Sequence, residues 1–122
     1  MALKRLTPNL MVENVADTVK FYEKALGFTL QQSVPEGDGL AWASVRSGDV
    51  EIMFQSRSSL SREIPALKDA PAGGALTLYI RMEGLDDLYA RLGGRVDLVQ
   101  ERHTTFHAMT EFAVRDPNGF LL

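Results

Sequence analysis

The chain has 122 residues, of which 45% are hydrophobic and 24% charged, a balance that fits one globular domain and excludes a disordered chain. Its formal net charge is −3 and its Lys and Arg residues form no run, so neither nucleic acid nor a membrane is an expected partner. The absence of cysteine excludes disulfides, thiolate metal sites and cysteine nucleophiles, and the lack of a signal-like or long apolar stretch predicts a cytoplasmic protein.

The first half of the chain predicts a strand, a helix and then three strands. After a strand at residues 6–12, Asn14 is a good helix N-cap, and Gly27 is typical of the residue that follows a helix. Between them, apolar residues recur at helical spacing at Val15, Val19, Tyr22 and Leu26. Short turn sequences then separate strands predicted at residues 28–33, 40–45 and 50–55.

The second half repeats this order after a connection. Residues 56–74 hold Pro, Gly and Ser and predict a connection with a helical turn near residues 63–68. A strand at residues 75–82 then precedes a second helix, which ends at Gly93. The apolar residues of that helix are Leu85, Leu88, Tyr89 and Leu92. Three further strands are predicted at residues 95–100, 111–115 and 120–122.

The recurrence of one element order, about 70 residues apart, predicts two βαβββ modules at residues 6–55 and 75–122 of a single domain, 1–122. One four-stranded module alone would leave a sheet face bare. Two modules, paired within the chain or exchanged between two chains, would cover those faces by curving around a shared cavity. The predicted fold class is therefore α+β, with paired modules forming a curved mixed sheet around a cavity.

Two motifs carry a family resemblance. Residues 12–17 are followed by Phe21-Tyr22 and by Ala-Leu-Gly-Phe at residues 25–28, and Asp-Pro-Asn-Gly-Phe occupies residues 116–120. Together, and in this order of elements, the motifs resemble the vicinal oxygen chelate superfamily, which includes glyoxalases, bleomycin resistance proteins and dioxygenases. The resemblance covers essentially the whole chain and implies the paired-module fold.

The resemblance also implies where a metal ion would bind. Metal-dependent members hold a divalent ion with His or Glu side chains from four strands, and three matching positions here are Thr7, Glu51 and Thr77. The fourth would fall just beyond Leu122. Because a threonine hydroxyl is a poor ligand for a transition metal and one carboxylate cannot hold the ion alone, we expect no metal and no other cofactor.

The two histidines are the other candidate metal ligands. His103 and His107 lie four residues apart, but the threonines around them disfavour a helix, so the two side chains need not converge. Three alternatives follow: two loop histidines, a role for His107 at the mouth of the cavity, or paired metal ligation.

Without a metal, the resemblance implies a protein like those that confer bleomycin resistance, which are dimers with ligand clefts at the interface. Glu51 is the first candidate contact, because a carboxylate in an apolar strand needs water, a cation such as Arg81, or a ligand. Structural pairing or exposure to solvent is its alternative. The other candidates combine apolar and polar side chains and are Trp42, Met53, Gln55, Thr77, Tyr79, His107 and Glu111.

The sequence therefore predicts a homodimer that binds a small organic molecule without a metal and sequesters or senses it. The alternative is a metal-dependent lyase or isomerase resembling glyoxalase I (lactoylglutathione lyase). No residue is identified as catalytic, and the sequence leaves both a binding protein and an enzyme open.

Overall fold

The structure, a computed structural model, describes residues 1–105 and 108–122. These residues form two compact units, Met1–Ala72 and Gly73–Leu122. Both units combine helices with β-structure, so the predicted α+β class is confirmed. The pairing of two βαβββ modules within one domain stays a prediction. No helix in the described part of the chain has the length and apolar character that crossing a bilayer requires.

The first unit is built on a four-stranded mixed sheet with the order β1-β4-β3-β2. β1 runs parallel to β4, and the other neighbours are antiparallel. The strands are β1 (Asn9–Val12), β2 (Thr29–Glu36), β3 (Gly39–Ser47) and β4 (Val50–Ser56). All four predicted strands are present, and β1 begins later than predicted, although the backbone N–H of Met53 still donates to the carbonyl oxygen of Pro8.

Helix α1 (Val15–Leu26) packs on one face of this sheet, and its two ends are those predicted. The side chain of Asn14 accepts a hydrogen bond from the backbone N–H of Asp17 at 2.9 Å, which satisfies one of the free amides of the first turn. Gly27 ends the helix in the left-handed conformation, with φ at +74°. The helix is fixed by its buried Tyr22, whose ring centroid lies 4.7 Å from that of Phe54 in β4.

The connection contains more helix than predicted. Helix α2 (Arg57–Glu63) precedes a short 3-10 helix (Pro65–Leu67), whereas the sequence predicted only a helical turn near residues 63–68. α2 carries few apolar residues, so its hydrophobic periodicity is weak. Its N-cap determines where it starts: the hydroxyl of Ser56 accepts from the backbone N–H of Ser59 at 3.1 Å.

The second unit contains helix α3 (Leu85–Leu92) and an antiparallel pair, β5 (Asp97–Thr104) and β6 (Thr110–Arg115). The strands predicted at residues 75–82 and 120–122 were wrong. Among the described residues, these two segments meet in one isolated parallel bridge between Thr77 and Leu121. The sequence 75–82 has strong β-propensity, but a strand also needs a continuous ladder of backbone partners, and here that ladder stops after one bridge.

A tight contact fixes the start of the second unit. A Cβ atom added to Gly73 would lie 2.9 Å from the carbonyl carbon and oxygen of Gly119, and Gly73 itself has φ at +79°. Gly119 belongs to the predicted Asp-Pro-Asn-Gly turn, in which the buried carboxylate of Asp116 accepts from the backbone N–H groups of Asn118 and Phe120. Position 73 therefore requires glycine for both space and backbone conformation.

Candidate functional site

The side chains of the first sheet divide between two faces. Phe54 contacts α1, so alternation places Glu51, Met53 and Gln55 on the opposite face. Strand register adds their neighbours, because residues directly opposite each other share a face. We call this surface the distal face; its residues in β1, β3 and β4 are Asn9, Met11, Trp42, Ser44, Arg46, Glu51, Met53 and Gln55.

An ion cluster occupies one end of the distal face. Oε1 of Glu51 lies 3.2 Å from Nη2 of Arg46 and 3.6 Å from Nη1 of Arg5. The Glu51 side chain is 17% exposed, against 33% for Arg46 and 69% for Arg5. Glu51 thus has cationic partners within the first unit, which is the structural pairing that the sequence left open as the alternative to a ligand contact.

The position of Arg46 was available from the sequence. Gly48 and Asp49 form a two-residue hairpin loop, which sets Ser47 opposite Val50 and therefore Arg46 opposite Glu51. The ion pair between Arg5 and Glu51 could not be predicted in this way, because Arg5 lies outside the strands and reaches Glu51 only through its long side chain.

A neutral polar network occupies the other end of the distal face. Asn9 Nδ2 donates to Gln55 Oε1 at 2.8 Å, and Gln55 Nε2 donates to Ser59 Oγ of α2 at 2.9 Å. Gln55 is buried, and both its amide oxygen and its amide nitrogen have hydrogen-bond partners. Its main role is therefore to hold Asn9 and Ser59 in place. Met53 lies between Gln55 and Glu51 on β4, and Trp42 lies directly opposite Gln55 on β3; both are half-buried.

The structure thus brings four predicted residues, Glu51, Trp42, Met53 and Gln55, onto one surface. The candidates in the second unit are more dispersed. Thr77 and Tyr79 are exposed on a segment that is not a strand, so the predicted row of residues 75, 77, 79 and 81 does not form a strand face.

The remaining candidates lie near the end of the chain. Glu111 is half-buried in β6, directly opposite His103 in β5. Nδ1 of His103 lies 2.8 Å from the carbonyl oxygen of Glu101, so this ring has a partner on its own strand. His107 lies outside the described residues.

The donor set does not fit the family's type of metal site. Thr7 lies two residues before Asn9 in the sequence, and Glu51 lies two residues before Met53, the strand partner of Asn9. Thr7 and Thr77 offer neutral hydroxyl groups, and the Glu51 carboxylate is already held by two guanidinium groups that a metal cation would have to displace. In residues 1–105 and 108–122, no three His, Cys, Asp or Glu side chains are grouped closely enough to hold an ion.

A groove of about 640 Å³ in the first unit lies apart from the predicted residues. Arg57 lines it, donating to Oε1 of Glu13 at 2.8 Å and to the carbonyl oxygen of Ala70 at 2.7 Å. Glu36 lines it too, and hydrogen bonds from Arg62, Ser58 and Ser56 hold the pKa of its carboxyl below the ordinary value. The charged groups of Arg57 and Glu36 are therefore both paired within the protein.

A second groove, of about 630 Å³, lies in the second unit. Its Arg102 donates to Oδ1 of Asp86 at 2.6 Å and stacks over the ring of Tyr89 at 5.3 Å. None of the described residues predicted to bind a ligand lines this groove, whereas four of them lie on the distal face, which is therefore the better candidate site.

Comparison with known proteins identifies related folds. The family model of the Glyoxalase/Bleomycin resistance protein/Dioxygenase superfamily matches residues 3–122. A protein of unknown function from Agrobacterium tumefaciens str. C58 superposes with a TM-score of 0.82 at 17% identity, covering 99% of this chain and 91% of that one. No curated protein is significantly similar to the chain in sequence.

Two similar structures have named ligands or activities. Lactoylglutathione lyase from Agrobacterium tumefaciens has a TM-score of 0.70 at 16% identity, covering 98% of this chain and 90% of that one. The bleomycin-binding protein of bleomycin-producing Streptomyces verticillus, in complex with copper(II)-bleomycin, has a TM-score of 0.60 at 21% identity, covering 99% and 93%. At such identities the likeness shows the fold alone.

Proposed function

The chain belongs to the Glyoxalase/Bleomycin resistance protein/Dioxygenase superfamily, and on that premise we propose that it binds a small organic molecule without a metal ion and sequesters or senses it. The proposed site is the distal face. One observation carries the proposal: half-buried Met53 lies between an ion cluster at Glu51 and a neutral polar network at Gln55, and half-buried Trp42 lies directly opposite Gln55. An apolar surface with a few fixed polar groups is the usual composition of a small-molecule site.

The second unit contains further ligand-binding candidates. Thr77, Tyr79, His107 and Glu111 stay candidate ligand-binding residues, as the family resemblance implied. Tyr79 is the most exposed of the described members of this set, at 65%, and an exposed aromatic ring is available to cover a ligand.

Metal independence follows from the chemistry of the residues at the family's ligand positions. Thr7 and Thr77 replace two side chains that would carry strong donor atoms, and Glu51 is neutralised by arginine. A metal bound there would have one carboxylate and no imidazole, which suits none of the transition metals.

The alternative function is a metal-dependent lyase or isomerase, the activity that the sequence resemblance to glyoxalase I implied. A metal measurement separates the two functions. On our proposal, the purified chain neither binds nickel, zinc, cobalt or iron one per chain nor melts at a higher temperature when these ions are added. Stoichiometric binding with a rise in melting temperature would contradict the proposal and make a lyase assay the next step.

Ligand binding itself is tested by thermal melting against a collection of small organic acids, amines and neutral molecules. A ligand present at about 100 times its Kd stabilises the folded chain by about 2.7 kcal/mol, which is a readily measured shift. Trp42→Leu will reduce that shift, whereas Leu98→Ala, a matched apolar change on β5, will not. If the Trp42→Leu chain responds to every ligand as the wild type does, the distal face is not the site.

We propose in addition that the protein is a cytoplasmic homodimer. β2 is an edge strand of the first sheet, and its Leu30 and Val34 are 38% and 50% exposed. An edge strand with exposed apolar side chains is a surface on which a second copy can pack.

A further inference from the structure

The charges of the distal face indicate which chemical class its ligand belongs to. Two guanidinium groups, those of Arg5 and Arg46, reach the same oxygen atom of Glu51 at 3.6 and 3.2 Å. Among the described residues, Glu51 supplies the one carboxylate that forms an ion pair with either of them. The cluster therefore carries a surplus of one positive charge.

The cations are also the outer members of the cluster. Glu51 is 17% exposed, whereas Arg46 is 33% and Arg5 is 69% exposed. A molecule approaching this end of the face meets guanidinium N–H groups before it meets the carboxylate. Arginine offers several donors in one plane, so these groups are able to hold Glu51 and a second anion at the same time.

The rest of the distal face limits the body of such a ligand. Met53, two residues along β4 from Glu51, and Trp42, directly opposite Gln55, present half-buried apolar surface. The Gln55 amide, four residues along β4 from Glu51, is occupied by Asn9 and Ser59. Four residues of strand span about 13 Å. A fitting molecule has an anionic head, an apolar body and a length of no more than about 13 Å.

We propose that the distal face selects organic anions: small carboxylates or sulfonates whose charged group binds beside Arg46 and Arg5 and whose apolar body lies on Trp42 and Met53. This inference rests on the proposed function and specifies its ligand class. A cation on this face would be attracted by the ring of Trp42 but repelled by the surplus charge at Arg46 and Arg5, so the face discriminates against amines.

The test is calorimetric titration with three probes of one shape and different charge: naphthylacetate, naphthylacetamide and naphthylethylammonium. We expect naphthylacetate to bind about tenfold more tightly than the amide, because hydrogen bonds to a charged group are stronger than those to a neutral one. The ammonium probe will bind most weakly. Added salt will reduce the ratio between the affinities for naphthylacetate and naphthylacetamide, because it screens the charge of the acetate.

Variants locate the effect in the cluster. Arg46→Gln will weaken naphthylacetate binding about tenfold, and the more exposed Arg5→Gln about threefold. Glu51→Gln will strengthen it, because the internal competitor for both arginines is removed. Arg95→Gln, which removes the same charge from an exposed residue of the second unit, will change nothing. Since Arg5 lies outside the strands, its variant keeps the test valid if Arg46→Gln fails to fold.

The possible failures are distinguishable. Tighter binding of the amide or the ammonium probe, or loss of naphthylacetate binding in Glu51→Gln, would overturn the anion proposal and leave small-molecule binding intact. Absence of binding for all three probes would also overturn the anion proposal, whereas the small-molecule proposal is overturned only if no member of the melting collection stabilises the chain.

Discussion

The carboxylate of Glu36 connects two elements that are distant in the sequence. It is the last residue of β2, and it accepts hydrogen bonds from Ser56, Ser58 and Arg62, at the N-cap and along α2, at 3.2, 3.1 and 2.9 Å. All three bonds favour the ionised form, so the pKa of Glu36 lies below its ordinary value of 4.5. One side chain therefore makes the attachment of α2 sensitive to acid.

The variant Glu36→Gln will remove a pH-dependent part of the stability. Because the pKa is lower in the folded chain, this stabilisation is complete above pH 4.5 and is lost as the pH falls through the folded-state pKa. We expect the difference in melting temperature between wild type and variant, measured by calorimetry, to shrink from about pH 6 to about pH 3. Glu63→Gln, at an exposed position in the same helix, is the control. Equal pH dependence of that difference for both variants would reject the assignment.

Gly73 offers a test of close packing against backbone strain. Gly73→Ala will destabilise the chain by about 2 kcal/mol more than Gly27→Ala does. Both glycines have positive φ, at +79° and +74°, but only a Cβ at position 73 meets other atoms, whereas nothing lies within 4 Å at position 27. Urea unfolding measures both variants, and equal losses would show that the contact with Gly119 relaxes without cost.

The candidate site shows which side-chain positions can be predicted from the sequence. Glu51, Met53 and Gln55 were placed on one face because strand alternation is a local rule. The sequence left the partner of Glu51 open, with Arg81 as one example of a cation, because the choice among arginines depends on register and on side-chain reach. Register was deducible from the Gly48–Asp49 loop, whereas the reach of Arg5 is a three-dimensional property.

At the scale of elements, the ends of α1 depend on side chains that the sequence displays. Asn14 satisfies an amide of the first turn and Gly27 takes the left-handed conformation after the last one. Such capping contacts join residues that are close in the sequence, so they do not depend on how the rest of the chain folds. This is why α1 was predicted with its exact bounds, while α2, which has little apolar periodicity, was predicted only in part.

Removal of the α1 cap has a defined cost. Asn14→Ala will destabilise the chain by about 1 kcal/mol, because the N–H of Asp17 loses its acceptor, and Asn14→Ser will retain most of the stability. Urea unfolding followed by circular dichroism measures both. If the serine variant loses as much free energy of unfolding as the alanine variant, the hydrogen bond of the N-cap does not account for the loss of stability.

The segment 75–82 shows where element prediction fails. Its alternating apolar residues are as typical of a strand as those of β3, yet β3 has a partner along both edges and the segment has one bridge, at Thr77. Strand formation depends on a neighbour that is remote in the sequence, so propensity alone does not decide it. Helix formation depends mainly on local contacts, and α3 was predicted correctly.

At the scale of the whole molecule, the proposed homodimer is the property to measure first. Light scattering on the eluting protein will give twice the 13.5 kDa of one chain. A stable interface of ordinary size buries about 800 Å² on each copy, and the apolar residues of the β2 edge are available for such a contact. A mass of one chain at every concentration would contradict the dimer and would leave the binding proposal standing.

Trp42 is the single tryptophan of the chain, and it lies half-buried on the distal face. All indole emission of the protein therefore originates at the surface where a ligand is proposed to bind. The wavelength of maximum emission depends on the polarity around the indole ring, so a ligand that covers the ring shifts the fluorescence spectrum of the protein. The unlabelled chain thus carries an optical reporter of occupancy at its own candidate site.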